Sequence, residues 1–355
     1  MRYGMPVGGP LQAIGPLAKA IEDRGFDSVW TTETTSNPFI QASLVAQATS
    51  RVRVGTGIAL AFPRSPGITA MAAVDVDELS GARFALGLGP QVKRVNEQRF
   101  STPFEHPAPK MREYVLAVRA FWAGYFGEEP RFQGRFYQVT MAPWPRMPPP
   151  VRPSVPILLA AVNRGMLQAA GEVADGVIGH PLTSPRYVRE VVLPAIAEGA
   201  AKAGRAPGDV ELVQTVLISI SDDRELARRE VAQQIGFYAT TRTYEPILAL
   251  HGYEGVAPEL RRAYADRDMD RLASLVTEEM AETYALYGPA NEVVEKAKRF
   301  DGLAGELLLG GPWYRVDPGR LLENHLAILE AFGRSALATS SGAGRPPPAR
   351  RPGRG

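Results

Sequence analysis

The chain has 355 residues, of which 45% are hydrophobic and 22% are charged, a composition typical of a globular protein with a substantial core. No apolar run approaches the roughly 18 residues of a membrane-spanning helix, the N-terminus lacks the apolar stretch of a signal peptide, and the absence of cysteine excludes disulfides, iron–sulfur clusters and thiol catalysis. The formal charge of +2 falls to −3 when the five arginines of residues 334–355 are set aside, which argues against nucleic-acid binding. Together these features predict a cytoplasmic protein that binds neither nucleic acid nor membrane.

Glycine and proline divide the sequence into short apolar strands that alternate with amphipathic helices. Eight strands are predicted, at residues 2–5, 26–32, 51–60, 83–88, 157–161, 176–179, 210–219 and 306–309. The predicted helices lie at residues 11–24, 38–49, 67–78, 107–125, 163–172, 187–203, 290–300 and 318–332. Asn37 is the expected N-cap of the second helix because a proline follows it. A hairpin is expected at residues 131–139.

Eight strand–helix units over roughly 330 residues favour a (β/α)₈ TIM barrel with insertions, although a doubly wound sheet is also compatible with the alternation. The insertions fall at residues 89–106, 126–156 and 222–287, and the last is expected to be mostly helical. We expect one barrel domain over residues 1–333. Residues 334–355 are rich in Gly, Pro, Ser and Ala, which predicts a disordered basic tail.

Glycines mark the ends of the third and fourth predicted strands. Gly57 ends the run RVRVGTG, and Gly87 and Gly89 end the run RFALGLG. In α/β folds ligands bind at the carboxyl ends of the strands, where glycine lets the backbone approach a flat or anionic group. The sequence therefore predicts a ligand site beside these three glycines.

Six short motifs follow one another along the chain: RGFDSVW at residues 24–30, VGTGI at 54–58, LSGARF at 79–84, GLG at 87–89, MREYV at 111–115 and ADG at 174–176. Together they resemble the bacterial-luciferase-like flavin and deazaflavin oxidoreductases, and most closely their actinobacterial branch that uses coenzyme F-420, an 8-hydroxy-5-deazaflavin. The resemblance covers about residues 1–332. It implies a TIM barrel that moves a hydride between coenzyme F-420 and an unidentified small organic substrate.

Two other functions stay open. An FMN-dependent luciferase-like monooxygenase would need a partner reductase, and a non-catalytic flavin-binding barrel would need no turnover. Relatives of this kind are often dimers, so the resemblance also implies a homodimer.

The resemblance implies a cis peptide bond between Gly57 and Ile58, behind the central ring of the cofactor. It also places Glu33 near that ring. Many deazaflavin relatives carry Asp-His where this chain has Glu33-Thr34. Glu33 is thus a candidate catalytic residue that lacks the neighbouring histidine, and an exposed loop carboxylate is equally compatible with the position.

The loops after the fourth and fifth strands supply the other candidate cofactor-binding residues. Gly89 is a candidate as part of the turn that leads into the cofactor loop, and Gln91 and Asn96 are candidates for hydrogen bonds to the pyrimidine edge or polyol chain. The turn into the fifth helix offers free backbone N–H groups of the kind that bind phosphate; its candidates are Ala161, Val162, Asn163, Arg164 and Gly165. Lys93, Arg94 and Arg164 are candidates for the acidic polyglutamyl tail of the cofactor.

His180 follows the sixth strand and is a candidate for substrate binding or proton transfer, since histidine titrates near neutrality. A structural histidine is the equally weighted alternative. Trp144 and Trp313, with Phe136 and Tyr137, are candidates for the pocket wall. No two histidines lie three or four residues apart beside carboxylates, so no metal site is predicted.

Overall fold

Eight parallel strands close into a barrel in the computed structural model, which describes residues 1–333. The strands are β1 (Arg2–Val7), β2 (Ser28–Thr31), β3 (Arg53–Thr56), β4 (Phe84–Gly89), β5 (Ile157–Ala160), β6 (Gly176–Gly179), β7 (Glu211–Ile220) and β8 (Glu306–Gly310). Each strand pairs with the next, and β8 pairs with β1. The predicted (β/α)₈ fold is confirmed. The tail of residues 334–355, for which disorder is predicted, lies outside the described residues.

Helices connect successive strands and cover the barrel. The longer ones are Leu11–Asp23, Pro38–Ala48, Pro66–Ser80, Pro107–Tyr125, Arg164–Val173, Leu193–Lys202, Arg224–Ala239, Ala290–Ala297 and Pro318–Phe332. Four of these helices, Pro38–Ala48, Pro66–Ser80, Arg224–Ala239 and Pro318–Phe332, begin at a capping side chain. Asn37 accepts a hydrogen bond from the backbone N–H of Phe39, as predicted, and Ser65 accepts one from Ile68.

The insertions contain more regular structure than the sequence predicts. Helix Lys93–Arg99 lies in the expected loop of residues 89–106, and the predicted hairpin pairs Arg131–Gln133 with Gln138–Thr140. Residues 222–287 are mostly helical, as expected; beyond Arg224–Ala239 they form Glu245–Ala249, Ala257–Ala265, Met269–Ser274 and Glu278–Tyr284. Strand Ala285–Gly288 also lies there and pairs with β7, so the helical prediction is wrong at its end.

A small apolar cluster fills the inside of the barrel. Its buried members come from six strands and are Trp30, Ala85, Leu158, Ile178, Val213 and Leu308. Trp30 fits because Gly55 on the neighbouring strand has no side chain: a Cβ there would overlap the indole ring. The Trp30 Nε1 donates hydrogen bonds to Ser28 (2.7 Å) and to the buried carboxylate of Glu306 (3.0 Å). The interior is thus a packed core, and a ligand has access only at the rims of the barrel.

Candidate functional site

The carboxyl ends of the strands form one rim, because all eight strands run in the same direction. The candidate catalytic and cofactor-binding residues lie at or after such ends, so the fold brings them to that rim. Glu33 follows β2, the Gly57–Ile58 step follows β3, and His180 follows β6. The turns after β4 and β5 carry the remaining candidates. The rim is therefore the candidate active site.

The peptide bond between Gly57 and Ile58 is cis, as predicted. The side chain of Ile58 packs, partly buried, against the apolar cluster inside the barrel. It occupies space that Gly89 leaves open, because a Cβ on Gly89 would overlap the Cδ1 of Ile58. Gly57, Ile58 and Gly89 therefore form one apolar surface above the barrel core.

Glu33 is held by an ion pair that the sequence does not predict. Both its oxygens accept hydrogen bonds from the guanidinium of Arg64, at 2.7 Å each, and one also accepts from the backbone N–H of Leu60 at 2.7 Å. The side chains are only 10% and 17% exposed, respectively. A carboxylate with three charge-assisted hydrogen bonds is fixed in place. Glu33 thus anchors the segment that follows Ile58.

The loop after β4 is shaped by Asn96, which is fully buried. Its amide donates to the carbonyl of Pro90 at 2.7 Å and to that of Val92 at 3.1 Å. Its Oδ1 is buried and, among the described residues, has no hydrogen-bond partner. Gln91 adopts a left-handed backbone conformation (φ 59°), and its Oε1 accepts from the N–H of Val92. Asn96 Oδ1 is therefore a buried acceptor that the described residues leave without a donor.

A second unpartnered acceptor lies in the turn after β5. Asn163 precedes helix Arg164–Val173, and its amide donates to the carbonyl of Thr243 at 3.0 Å. Its Oδ1 is buried without a partner in the described part of the chain. The first N–H groups of this helix, at Arg164 and Gly165, face the same turn, where the helix dipole favours an anion. Beside Gly165, a Cβ would meet only Ala108, at 3.8 Å.

Arg164 itself extends along the surface, 62% exposed, and pairs with Glu198. Lys93 and Arg94 are also exposed, and each contacts a residue four positions along its own helix, Glu97 and Gln98 respectively. Ala161 is buried and Val162 partly buried, and the carbonyl of Val162 accepts from the hydroxyl of Tyr187. The three cationic candidates are therefore exposed side chains whose described contacts are with other surface residues.

His180 does not titrate near neutrality, which is the property that made it a candidate for proton transfer. Its Nδ1 accepts a hydrogen bond from the backbone N–H of Leu182 at 3.1 Å. Its ring packs against Tyr244 (4.1 Å between centroids) and Tyr238 (4.7 Å). Burial lowers the pKa of His180 to about 3. The ring is therefore neutral at physiological pH, with its proton on Nε2, and acts as a hydrogen-bond donor.

Sequence reasoning missed Tyr238 and Tyr244, which come from the long insertion. Trp313, which it singled out, follows β8 and donates a hydrogen bond from Nε1 to the Tyr238 hydroxyl at 3.3 Å. Trp144 lies elsewhere: its backbone N–H donates to the carbonyl of Gly124, at the far end of helix Pro107–Tyr125. Trp144 is thus not part of the rim.

The chain belongs to the luciferase-like monooxygenase family, whose model matches residues 2–306. An uncharacterized protein of Mycobacterium tuberculosis is 38% identical over 297 residues, which cover 82% of this chain and 87% of that protein. A 5,10-methylenetetrahydromethanopterin reductase of Methanolobus tindarius is 30% identical over 294 residues, covering 80% of this chain and 85% of the relative.

The structure of a coenzyme F-420-dependent tetrahydromethanopterin reductase from Methanopyrus kandleri superposes with a TM-score of 0.80 and 23% identity, covering 95% of this chain and 99% of that one. This likeness supports the barrel fold. In residues 1–333, no group of three or more His, Asp or Glu side chains is arranged to hold a metal ion. No helix within the same range is long and apolar enough to cross a membrane.

Proposed function

We propose that this protein is a coenzyme F-420-dependent oxidoreductase that transfers a hydride between the deazaflavin and a small organic substrate. Membership of the luciferase-like family supports an oxidoreductase, and the likeness to the coenzyme F-420-dependent reductase of Methanopyrus kandleri favours the deazaflavin over FMN. The observation that carries the proposal is the pair of buried, unpartnered oxygens, Asn96 Oδ1 and Asn163 Oδ1, in adjacent turns of the rim. Acceptors without partners fit a cofactor rich in hydroxyl and N–H donors.

Each part of the rim has a role under this proposal. Gly57, Ile58 and Gly89 form the apolar surface behind the ring system. Gln91, Asn96 and Asn163 face its polar edge and polyol chain, and the N–H groups of Arg164 and Gly165 bind its phosphate, with Ala161 and Val162 setting the turn. When bound, the deazaflavin supplies C5 as the hydride donor or acceptor.

Glu33 and His180 act through position and hydrogen bonding. Glu33 holds the segment after Ile58 through Leu60 and Arg64, so we assign it as a positioning residue rather than as a base. His180 presents its neutral Nε2–H to the substrate and stabilises an oxygen or nitrogen that gains negative charge as the hydride arrives. This role needs no histidine at Thr34, the position where many deazaflavin relatives have one.

Titration of the purified protein with F-420 and with FMN, followed by visible absorbance, tests the proposal. We expect micromolar binding of F-420 and at least tenfold weaker binding of FMN. Tighter FMN binding with oxygen consumption would instead identify a monooxygenase with a reductase partner. Tight F-420 binding without oxidation of reduced F-420 by any acceptor would identify a non-catalytic barrel. If neither cofactor binds at micromolar concentration, the enzyme proposal is wrong.

We further propose that the protein is a homodimer in the cytoplasm. Helix Pro38–Ala48 has no charged residue, yet Ile40 on it is 53% exposed. Helix Pro66–Ser80 packs beside it and exposes Ile68 and Met71. Large apolar side chains exposed together on neighbouring helices are typical of a protein–protein interface. Light scattering should give twice the chain mass for the wild type, and Ile40→Glu with Ile68→Glu should give monomers.

A further inference from the structure

Four aromatic side chains form a continuous surface over the β6–β8 side of the rim. We define this aromatic wall as His180, Tyr238, Tyr244 and Trp313. The His180 ring lies 4.1 Å from Tyr244 and 4.7 Å from Tyr238, and the Trp313 indole is hydrogen-bonded to the Tyr238 hydroxyl. The wall therefore joins two strand ends to the insertion of residues 222–287.

Hydrogen bonds and stacking hold the wall in place before any ligand binds. Buried Gln234 accepts from the backbone N–H groups of Trp313 and Tyr314 at 2.9 Å each. Phe237 stacks on Tyr314 at 4.2 Å and meets the Trp313 ring edge-on at 5.4 Å. Rings fixed in this way lose little conformational freedom when a ligand stacks on them.

The wall carries no charge and has no charged partner. Burial is the main cause that raises the pKa of Tyr238, to about 12, and that of Tyr244, so both hydroxyls stay protonated. The ion pairs of the described residues include no member of the wall. An ionised group placed against it would lose water without gaining a counter-ion.

The wall is nonetheless accessible. His180, Tyr238 and Tyr244 each keep part of their surface exposed, and Trp313 is 51% exposed. Exposed aromatic faces beside a neutral N–H donor favour a flat molecule that carries one hydrogen-bond acceptor.

We propose that the aromatic wall is the substrate subsite and that it selects an uncharged, planar ring whose oxygen or nitrogen acceptor meets His180 Nε2–H. The inference rests on the proposed function, because it takes the opposite side of the rim as the cofactor side. It makes Trp313 and Tyr238 specificity-determining residues and excludes substrates whose ring carries an anionic group.

Three ketones test this selection on the F-420-loaded protein by calorimetry. Acetophenone is flat and neutral, 4-acetylbenzoate is flat and anionic, and cyclohexyl methyl ketone is neutral but not flat. We expect acetophenone to bind at least tenfold more tightly than either of the others. Trp313→Ala should weaken acetophenone binding about tenfold and remove the preference over cyclohexyl methyl ketone. Trp144→Ala, an exposed indole outside the rim, is the matched control and should change nothing.

Equal or tighter binding of 4-acetylbenzoate overturns the inference without relying on any variant. An unchanged acetophenone affinity in Trp313→Ala also overturns it, provided that this variant keeps the wild-type Kd for F-420. If F-420 does not bind the wild type, but acetophenone selectivity persists in the protein alone, the proposed function fails and the subsite stands. If F-420 binds and acetophenone does not, only the subsite fails.

Discussion

The two sides of the barrel mouth differ in charge. After β2 to β5, the mouth contains the ion pair of Glu33 with Arg64, two amide oxygens without partners among residues 1–333, and exposed cations. After β6 and β8 it contains the uncharged aromatic wall. A polar, anionic ligand is therefore favoured on the first side and a neutral one on the second. Under the proposed function, this contrast assigns the cofactor to the first side of the rim and the substrate to the second.

The largest effect is expected from removing the carboxylate on the charged side. Glu33→Ala leaves the Arg64 guanidinium unpaired and releases the N–H of Leu60. We expect F-420 affinity to fall about 100-fold, which corresponds to about 2.7 kcal/mol, because the segment beside Ile58 loses its anchor. Absorbance titration measures the change. Glu129→Ala removes an exposed ion pair with Arg131 and should leave the Kd unchanged. If the Kd for F-420 is unchanged in Glu33→Ala, Glu33 does not contribute to cofactor binding.

The uncharged side can be tested by pH. The folded-state pKa of His180 is lowered to about 3 from an unfolded value of 6.5, so the unfolded chain binds the extra proton between these pH values and stability falls as pH falls. Relative to pH 7.5, wild type should lose about 2 kcal/mol of unfolding free energy at pH 5 through this residue alone. His180→Gln should lack that loss. Urea unfolding of both proteins at the two pH values gives the difference, and equal losses would show that the ring is not kept neutral.

The sequence predicts the barrel well and the rim only in part, for physical reasons. Strands such as β6 and β8 are short apolar runs that end at glycine. This pattern is local, so it can be recognised in the sequence without knowing the fold. The ion pair of Glu33 with Arg64 joins residues 31 positions apart. It forms only because the loop after Ile58 brings Arg64 back to Glu33, and the sequence does not show the course of that loop. The aromatic wall is less predictable still, because Tyr238 reaches Trp313 across 75 positions through an insertion with no repeating pattern.

A smaller effect is expected where the two sides meet, at the apolar surface of Ile58. Gly89→Ala adds a methyl group that displaces the Cδ1 of Ile58, a flexible side-chain end, so the fold should tolerate it. We expect about a tenfold loss of F-420 affinity and little change in acetophenone binding. Gly208→Ala, whose added Cβ meets nothing within 4 Å, is the control for the substitution itself. Equal losses for both ligands would mean that the two sides are not independent.

The smallest effect is expected from the periphery of the charged side. Arg164 is exposed and already paired with Glu198, so its attraction to the glutamyl chain of F-420 acts through water. Arg164→Ala should weaken F-420 about threefold at low salt and less at 0.5 M salt, where charges are screened within about 4 Å. A deazaflavin that lacks the phosphate and glutamyl chain should bind both proteins equally. Lys19→Ala, which removes a similar charge from helix Leu11–Asp23, is the control. A salt-independent loss for both deazaflavins would show that Arg164 shapes the turn after β5 rather than attracting the anionic chain.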